Sequence, residues 1–453
     1  MLSAITNKVR VFLSVGHERT LKVKMNIIYS LLIKGVSVLI GFILIPLTIN
    51  YINPTQYGIW LTISSMVLWI NTFDIGLSNG LRNKIAHSLA LNEHENIVKY
   101  ISTTYLILFL ISGLTFLVFF LSGSFFNWND LLKINNSINF NIWPIILITL
   151  GTFCIRFFLQ PINSVLIASH QQYKTSIILL LGQVLTLILT YLLTIFFKSS
   201  LLLLVLVVGL SPVIIFLLAN IYYFSTSLKQ YCPTFSAIDL TSAKSLFNTG
   251  GVFFLIQIGA IILFQTDNIL ITRILGPQDV TVFNIAYKYF SLISVISVIL
   301  LTPVWSAYTD AYTKKDMAWI KQSIKKMKMM WLYLSLLSIG LFLFAPVFYH
   351  LWIGDKIHVP TRLSLAMTVF VIALTWQAIY ATALNGIGKL KVQLILVLST
   401  AFINVPLSIY FLHRVGLYGT VLSNIILIFI INIFITYQVK LVTLNADTGI
   451  WSK

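Results

Sequence analysis

Residues 200–224 read SLLLLVLVVGLSPVIIFLLANIYYF, 25 positions without a charged side chain. As a helix this stretch is about 37 Å long, enough to cross a hydrocarbon core of about 30 Å. It is too long, and lacks the strict alternation, for a spanning strand. It therefore reads as a transmembrane helix. Working outward, eleven further apolar stretches fall at 26–50, 57–78, 100–122, 142–168, 176–197, 248–272, 281–303, 330–352, 363–384, 392–412 and 417–439. The chain of 453 residues is 58% hydrophobic and 9% charged, where a soluble domain carries about 25% charged residues. A soluble enzyme, a secreted disulfide scaffold and a nucleic-acid binder are excluded. The predicted fold class is an all-α polytopic membrane protein with twelve spans.

Formal charge is +18, and its distribution sets the topology. With the N-terminus inside, 21 of the 30 Lys and Arg fall in inner segments and six in outer ones. Basic residues are retained on the cytoplasmic side, so both termini are expected there. The first 24 residues carry Lys8, Arg10, Arg19, Lys22 and Lys24 and hold no long apolar run. They read as a basic amphipathic lead-in, not a signal peptide. The longest outer connection, 123–141, is too short for a separate domain, so function must reside in the helices and short loops. Cys154 falls in a span and Cys232 in a loop, which does not suggest a disulfide framework.

The two halves of the chain share punctuation. Gln160-Pro161-Ile162 begins a stretch ending at Lys174, and Gln377-Ala378-Ile379 begins one of the same length ending at Lys391. Asn53-Pro54 enters the second span as Gly276-Pro277 enters the eighth, and inner segments 82–99 and 305–322 occupy corresponding places. Each half reads as six helices in parallel topology, the arrangement of two-lobed alternating-access carriers. The expected divisions are a basic segment 1–24, an N-lobe 25–224, a cytoplasmic linker 225–247, a C-lobe 248–440 and a tail 441–453.

Three segments carry a family resemblance. They are Asn53-Pro54-Thr55-Gln56-Tyr57-Gly58-Ile59-Trp60, then Asp74-Ile75-Gly76-Leu77-Ser78-Asn79-Gly80-Leu81-Arg82-Asn83-Lys84-Ile85-Ala86, and Phe283-Asn284-Ile285-Ala286-Tyr287-Lys288-Tyr289-Phe290 after Gly276-Pro277. Together they resemble the Wzx-type O-antigen flippases, the polysaccharide-transport branch of the multidrug/oligosaccharidyl-lipid/polysaccharide exporter superfamily. Asn53 departs from the glycine commoner there, although asparagine also suits a turn. The resemblance covers nearly the whole chain. It implies two pseudo-symmetric six-helix lobes around a central cavity, in a bacterial cytoplasmic (inner) membrane. It also implies a flippase that moves an undecaprenyl-pyrophosphate-linked oligosaccharide, an O-antigen or related surface polysaccharide unit, from the cytoplasmic to the outer leaflet. Membrane lipids, a polysaccharide polymerase and a chain-length regulator are the partners it implies.

Charge inside a membrane is expensive and marks functional candidates. Lys34 lies about nine residues into the first span, Arg156 near the centre of the fourth, and Lys288 about two turns into the eighth. With Arg273 they form a candidate cationic path for pyrophosphate, because arginine offers a planar fork of donors and lysine a point charge. Near the membrane surfaces, Lys34 and Lys288 also have the simpler option of snorkelling. Gln160 and Gln377, equivalent in the repeat, are candidates for sugar hydroxyls or for interhelical glue. Asp267 and Asp74 are the intramembrane acids that could couple an ion; Asp267 could instead pair with Arg273 or Lys288, and Asp74 with Arg82. The turn Asn385-Gly386-Ile387-Gly388-Lys389 is a candidate hinge or an ordinary tight turn.

There is no G-x-x-x-x-G-K-[ST], no C-x-x-C and no H-E-x-x-H, so no cofactor or metal is expected and ATP hydrolysis within the chain is disfavoured. The seven histidines map to loops or span ends. Two alternatives stand beside the flippase: a cation-coupled multidrug exporter of the related branch, and a membrane polysaccharide polymerase or transferase. The exporter would want an acid rather than Lys34 deep in an early span. The polymerase would want a substantial charged outer loop.

Overall fold

The computed structural model describes residues 18–68, 77–91, 93–123, 125, 127–132, 141–169, 171–241 and 251–452. Among these there is no strand. The major helices are α1 (Glu18–Tyr51), α2 (Pro54–Leu68), α3 (Leu77–Ala90), α4 (His94–Ser122), α5 (Trp143–Leu159), α6 (Pro161–Ala168), α7 (Gln172–Phe196), α8 (Leu201–Ser225), α9 (Gly251–Ile274), α10 (Pro277–Thr313), α11 (Met317–Ile353), α12 (Thr361–Ile387), α13 (Lys391–Val415) and α14 (Gly419–Thr443).

Among the described residues, ten stretches are long and apolar enough to cross a membrane. They match ten of the twelve spans expected from sequence. The other two correspond to α2, described as far as Leu68, and to the 24-residue α9.

Their surfaces invert the pattern of a soluble protein. Leu114 and Leu117 of α4 and Phe402 of α13 are exposed, while Asn404, Thr420 and Gln438 are fully buried. In lipid there is no gain in hiding leucine, and side-chain amides must find partners inside.

The chain divides into two compact units. Unit 1 takes in Met1–Ile52, Phe73–Trp128 and Asn141–Gly251; unit 2 takes in Asn53–Thr72, Asn129–Phe140 and Val252–Lys453. In unit 1, α1 packs on α7, α7 on α8, α8 on α5, α5 on α4, and α3 on α4 and α6. In unit 2, α12 packs against α10, α11 and α14, and α13 pairs with α14. Its core joins Tyr308 of α10, Ile320 of α11, Ile379 of α12 and Ile435 of α14.

The two units are not the expected contiguous halves, because two segments of the first half cluster with the second. The second span was assigned to the N-lobe at 25–224, but α2 clusters with unit 2. Asn53 opens it by accepting a hydrogen bond from the Gln56 amide at 2.8 Å, the capping role that suits asparagine before a helix. Thr281 of α10 then donates to the Pro54 carbonyl at 2.6 Å, and Thr62 shares a 2.6 Å hydrogen bond with Thr272 of α9. A β-carbon on Gly58 would lie 1.7 Å from the Pro277 oxygen, so glycine is what lets α2 meet the start of α10.

The repeat is visible in the elements, with differences. The inner segment 305–322 is not a loop between spans. Helix α10 continues to Thr313, Lys315 turns the chain at φ 59°, and Asp316 caps α11 by accepting from the Trp319 amide at 2.9 Å. In the first half, α3 and α4 pack against one another at the corresponding place. The equivalence of Gln160 and Gln377 breaks at the backbone. Pro161 lacks an amide hydrogen and divides α5 from α6, whereas Ala378 lets α12 run unbroken. Residues Asn385 to Ile387 are helical rather than a turn. Gly386 lies against α10, with Trp305 oxygen 2.8 Å from where a β-carbon would sit. Only Gly388, at φ +85°, ends the helix.

Candidate functional site

A buried polar cluster sits in unit 2. Helix α9 carries Asp267 seven residues before its end, about 10 Å along the axis. Asp267 is 2% exposed. Its Oδ2 accepts a hydrogen bond from Asn424 Nδ2 of α14 at 2.8 Å. Asn404 Nδ2 of α13 in turn donates to Asn424 Oδ1 at 2.6 Å. Ser423, the residue before Asn424, shares a 2.5 Å hydrogen bond with Ser408, one turn after Asn404. The chain of contacts ties α9, α13 and α14 together through polar groups. Beside it, Asn284 of α10 donates to Asn268 Oδ1 and to the Val280 carbonyl, both at 2.8 Å.

These groups border a cavity of about 60 Å³ lined by Gln265, Asp267, Asn268, Asn284, Tyr287 and Asn424, among others. That volume holds about two water-sized occupants. Asp267 Oδ1 and Asn404 Oδ1 are buried and make no hydrogen bond among the described residues. Unsatisfied acceptors in a dry interior are costly. A carboxylate with one oxygen held by an amide and the other open can take a proton, a cation or water on the open oxygen.

The other expected site residues lie as follows. Lys288 is half-buried on α10, next in sequence to Tyr287 of the cavity wall. Arg273 is exposed on α9, six residues past Asp267, and the hydrogen bond resolved at Asp267 comes from Asn424. Arg156 is half-buried on α5 of unit 1, with its guanidinium carbon 5.6 Å from the centroid of the Phe153 ring one turn earlier. Gln160 is half-buried at the α5–α6 break, where its carbonyl accepts from the Asn163 amide at 2.9 Å. Gln377 is half-buried in α12 and Lys34 is exposed on α1. Asp74 lies outside the described residues. Asp267, Lys288, Arg273 and Gln377 thus belong to unit 2, and Lys34, Arg156 and Gln160 to unit 1.

Sequence reasoning missed Asn424 as the partner of Asp267, Asn404 behind it and Tyr287 in the cavity wall. A signal was present: Asn404 in the eleventh expected span and Asn424 in the twelfth are each a residue that membrane helices seldom carry without a use.

Comparison with known proteins bears on the whole chain. Residues 23–309 match the family described as polysaccharide biosynthesis protein, and residues 253–410 match the family described as MatE. A Yersinia pseudotuberculosis protein named for O-antigen export is 25% identical, over 79% of this chain and 81% of its own length. A Salmonella typhi protein named as an O-antigen transporter is 23% identical, over 85% of this chain and 88% of its own. Among solved structures, an inward-facing multidrug-resistance MATE family transporter superposes with a TM-score of 0.72 at 17% identity, covering 88% of this chain and 96% of that one. An outward-facing one gives 0.63 at 15% identity, covering 94% and 96%. The fold is that of these transporters.

Proposed function

Because the chain belongs to the polysaccharide biosynthesis protein family, we propose that it is a flippase for undecaprenyl-pyrophosphate-linked oligosaccharide repeat units. It carries them from the cytoplasmic to the outer leaflet of the inner membrane by alternating access, with both of its termini in the cytoplasm. The observation that carries this reading is the likeness to O-antigen export proteins along 79% of the chain. The fold shared with solved transporters supports it.

In this reading Arg156 meets the diphosphate or an acidic sugar in transit. Lys34, Lys288 and Arg273 extend the positive path, and Gln160 and Gln377 offer hydrogen bonds to sugar hydroxyls. The open oxygen of Asp267 is the coupling site for a proton or sodium ion, and Asp74 is a second candidate. A polysaccharide polymerase and a chain-length regulator act next on the delivered unit.

The test is deletion of the gene. Surface display of one glycan should cease while lipid-linked repeat units accumulate, and the wild-type chain should restore it. Display of single unpolymerised repeats, with only chain extension lost, would point to a polymerase instead. The buried Asp267 and the MatE match keep a second reading in view, a cation-coupled drug exporter. Deletion would then leave the glycan intact and raise sensitivity to cationic dyes.

A further inference from the structure

A groove of about 530 Å³ opens on the surface of unit 2 between α11, α12 and α14. Its walls are Trp331 of α11, Ile372 and Trp376 of α12, and Phe429, Asn432 and Ile433 of α14. Ile433 is 67% exposed and Phe429 is 50% exposed, so the groove opens on an apolar surface at membrane depth. The two indoles meet edge to face with centroids 4.8 Å apart. Both are pinned, Trp331 Nε1 to the Ile372 carbonyl at 2.9 Å and Trp376 Nε1 to Thr436 Oγ1 at 3.1 Å. The rigid aromatic notch is thus built before anything enters it.

The other half of the repeat holds a counterpart of about 490 Å³ between α4, α5 and α8. There Asn220 donates to the Leu159 carbonyl at 3.1 Å, as Asn432 donates to the Ala373 carbonyl at 2.9 Å. Two differences separate the grooves. In unit 1 the Asn220 oxygen accepts from the Tyr105 hydroxyl, and the chain's own segment Pro233–Phe235 forms part of the wall, anchored by the Thr234 amide donating to Ser102 Oγ at 3.0 Å. In unit 2 the lining includes no such segment, and Asn432 Oδ1 is buried without a hydrogen-bond partner among the described residues. The unit 2 groove also has a cation beside it. Lys328, exposed and three residues before Trp331, places its ammonium 5.9 Å from the Trp376 ring and 6.0 Å from the Tyr380 ring.

We propose that the unit 2 groove seats the polyprenyl chain of a phosphorylated carrier lipid, with Lys328 holding its phosphate. The inference rests on the flippase reading, which supplies such a carrier. Lysine presents a point charge suited to phosphate. Indole faces offer a rigid surface for the branched methyls and double bonds of isoprene units. Given an inside N-terminus, Lys328 lies on the cytoplasmic side of Trp331, at the leaflet where the carrier is loaded. The groove thus seats the carrier at loading, before its diphosphate leaves Lys328 for Arg156.

The experiment uses the full-length protein in lipid nanodiscs and a polyprenyl phosphate carrying a photoreactive diazirine in its chain. Label should map to peptides containing Trp376 and Phe429–Thr436, and excess undecaprenyl phosphate should remove it while phosphatidylglycerol does not. Lys328→Gln should weaken labelling about tenfold yet leave labelling by the unphosphorylated polyprenol unchanged. Ile433→Trp, at the exposed rim, should block both. Absence of label from these peptides overturns the proposal. So does equal competition by phosphatidylglycerol, which would mark an ordinary phospholipid seat. The same variants are scored for surface glycan in the deletion strain. If wild type restores display and both variants restore it fully, the groove proposal fails alone; if wild type does not restore display, the flippase reading fails.

Discussion

Arg156 is the residue with the most at stake in the proposed transport. A lone arginine facing lipid at the centre of a span costs at least about 2.5–3.5 kcal/mol. Its resolved neighbour is an aromatic ring, not an acid. Arg156→Ala should leave insertion and abundance intact while abolishing glycan display, and Arg156→Lys should retain part of it. Full display by the alanine variant would end the cationic-path mechanism. Asp267 allows a cleaner separation of structure from coupling. Asp267→Asn keeps an oxygen for the Asn424 amide but cannot bind a cation by charge or exchange a proton. It should fold like wild type and transport without stimulation by a proton or sodium gradient, measured in proteoliposomes with imposed gradients. Asn424→Ala instead removes the amide that serves both Asp267 and Asn404. It should lower stability by about 1–3 kcal/mol, read as a drop in melting temperature in detergent.

Elements in this chain are joined by a few close approaches and caps. Gly58 lets α2 touch the first residue of α10, and the obstructing atom is a backbone oxygen that cannot rotate away. Gly58→Ala should therefore cost about 1–3 kcal/mol and lower the melting temperature. Gly113→Ala in α4, where a β-carbon meets nothing within 4 Å, should cost nothing and serves as the control. If both variants melt like wild type, the α2–α10 contact is not as tight as described. At the other end of unit 2, Lys389 after α12 pairs with Asp447 of the tail, their side chains 13% and 11% exposed. Burial works against the Lys389 ammonium. The hydrogen bonds to Asp447 and Tyr312 outweigh it and hold the group above the ordinary lysine value. The lysine's contribution is therefore complete below the unfolded lysine pKa of about 10.4 and is lost only as pH rises through the still higher folded value. Tail docking, followed by protease resistance, should be constant from about pH 6 to 9 on the lysine's account. Asp447→Asn should expose the tail throughout that range.

At the scale of the molecule, the testable quantity is topology. The bias of 21 inner to six outer basic residues predicts that both termini are cytoplasmic. With Cys154 and Cys232 replaced, single cysteines at Asn53 and Lys356 should react with an impermeant reagent added outside, and cysteines at Lys174 and Lys325 should not. Outside labelling at Lys325 would invert the map. The long helices sharpen this test. Helices α10 and α11, 37 residues each, reach about 55 Å, well past a bilayer. Lys321 and Lys325 therefore stand on α11 itself, not in a loop.

The sequence by itself determined the class, the spans and the family. Hydropathy acts over windows of about twenty residues, and each span must satisfy its own backbone regardless of its neighbours. Asn53-Pro54 and Gly276-Pro277 likewise set helix starts locally, and both sit where the pattern put them. Asp267 was legible as a candidate because a carboxylate in a span is conspicuous alone. What only the tertiary structure decided was partnership. The amide of Asn424 reaches Asp267 from a helix 157 residues further along the chain, the amide of Asn404 in turn holds Asn424, and α2 leaves the half in which its sequence lies to cluster with α9 and α10. The groove at Trp331 and Trp376 exists only because α11, α12 and α14 meet. Such contacts depend on which faces pack, and in a chain apolar on nearly every face, periodicity does not mark the packing side.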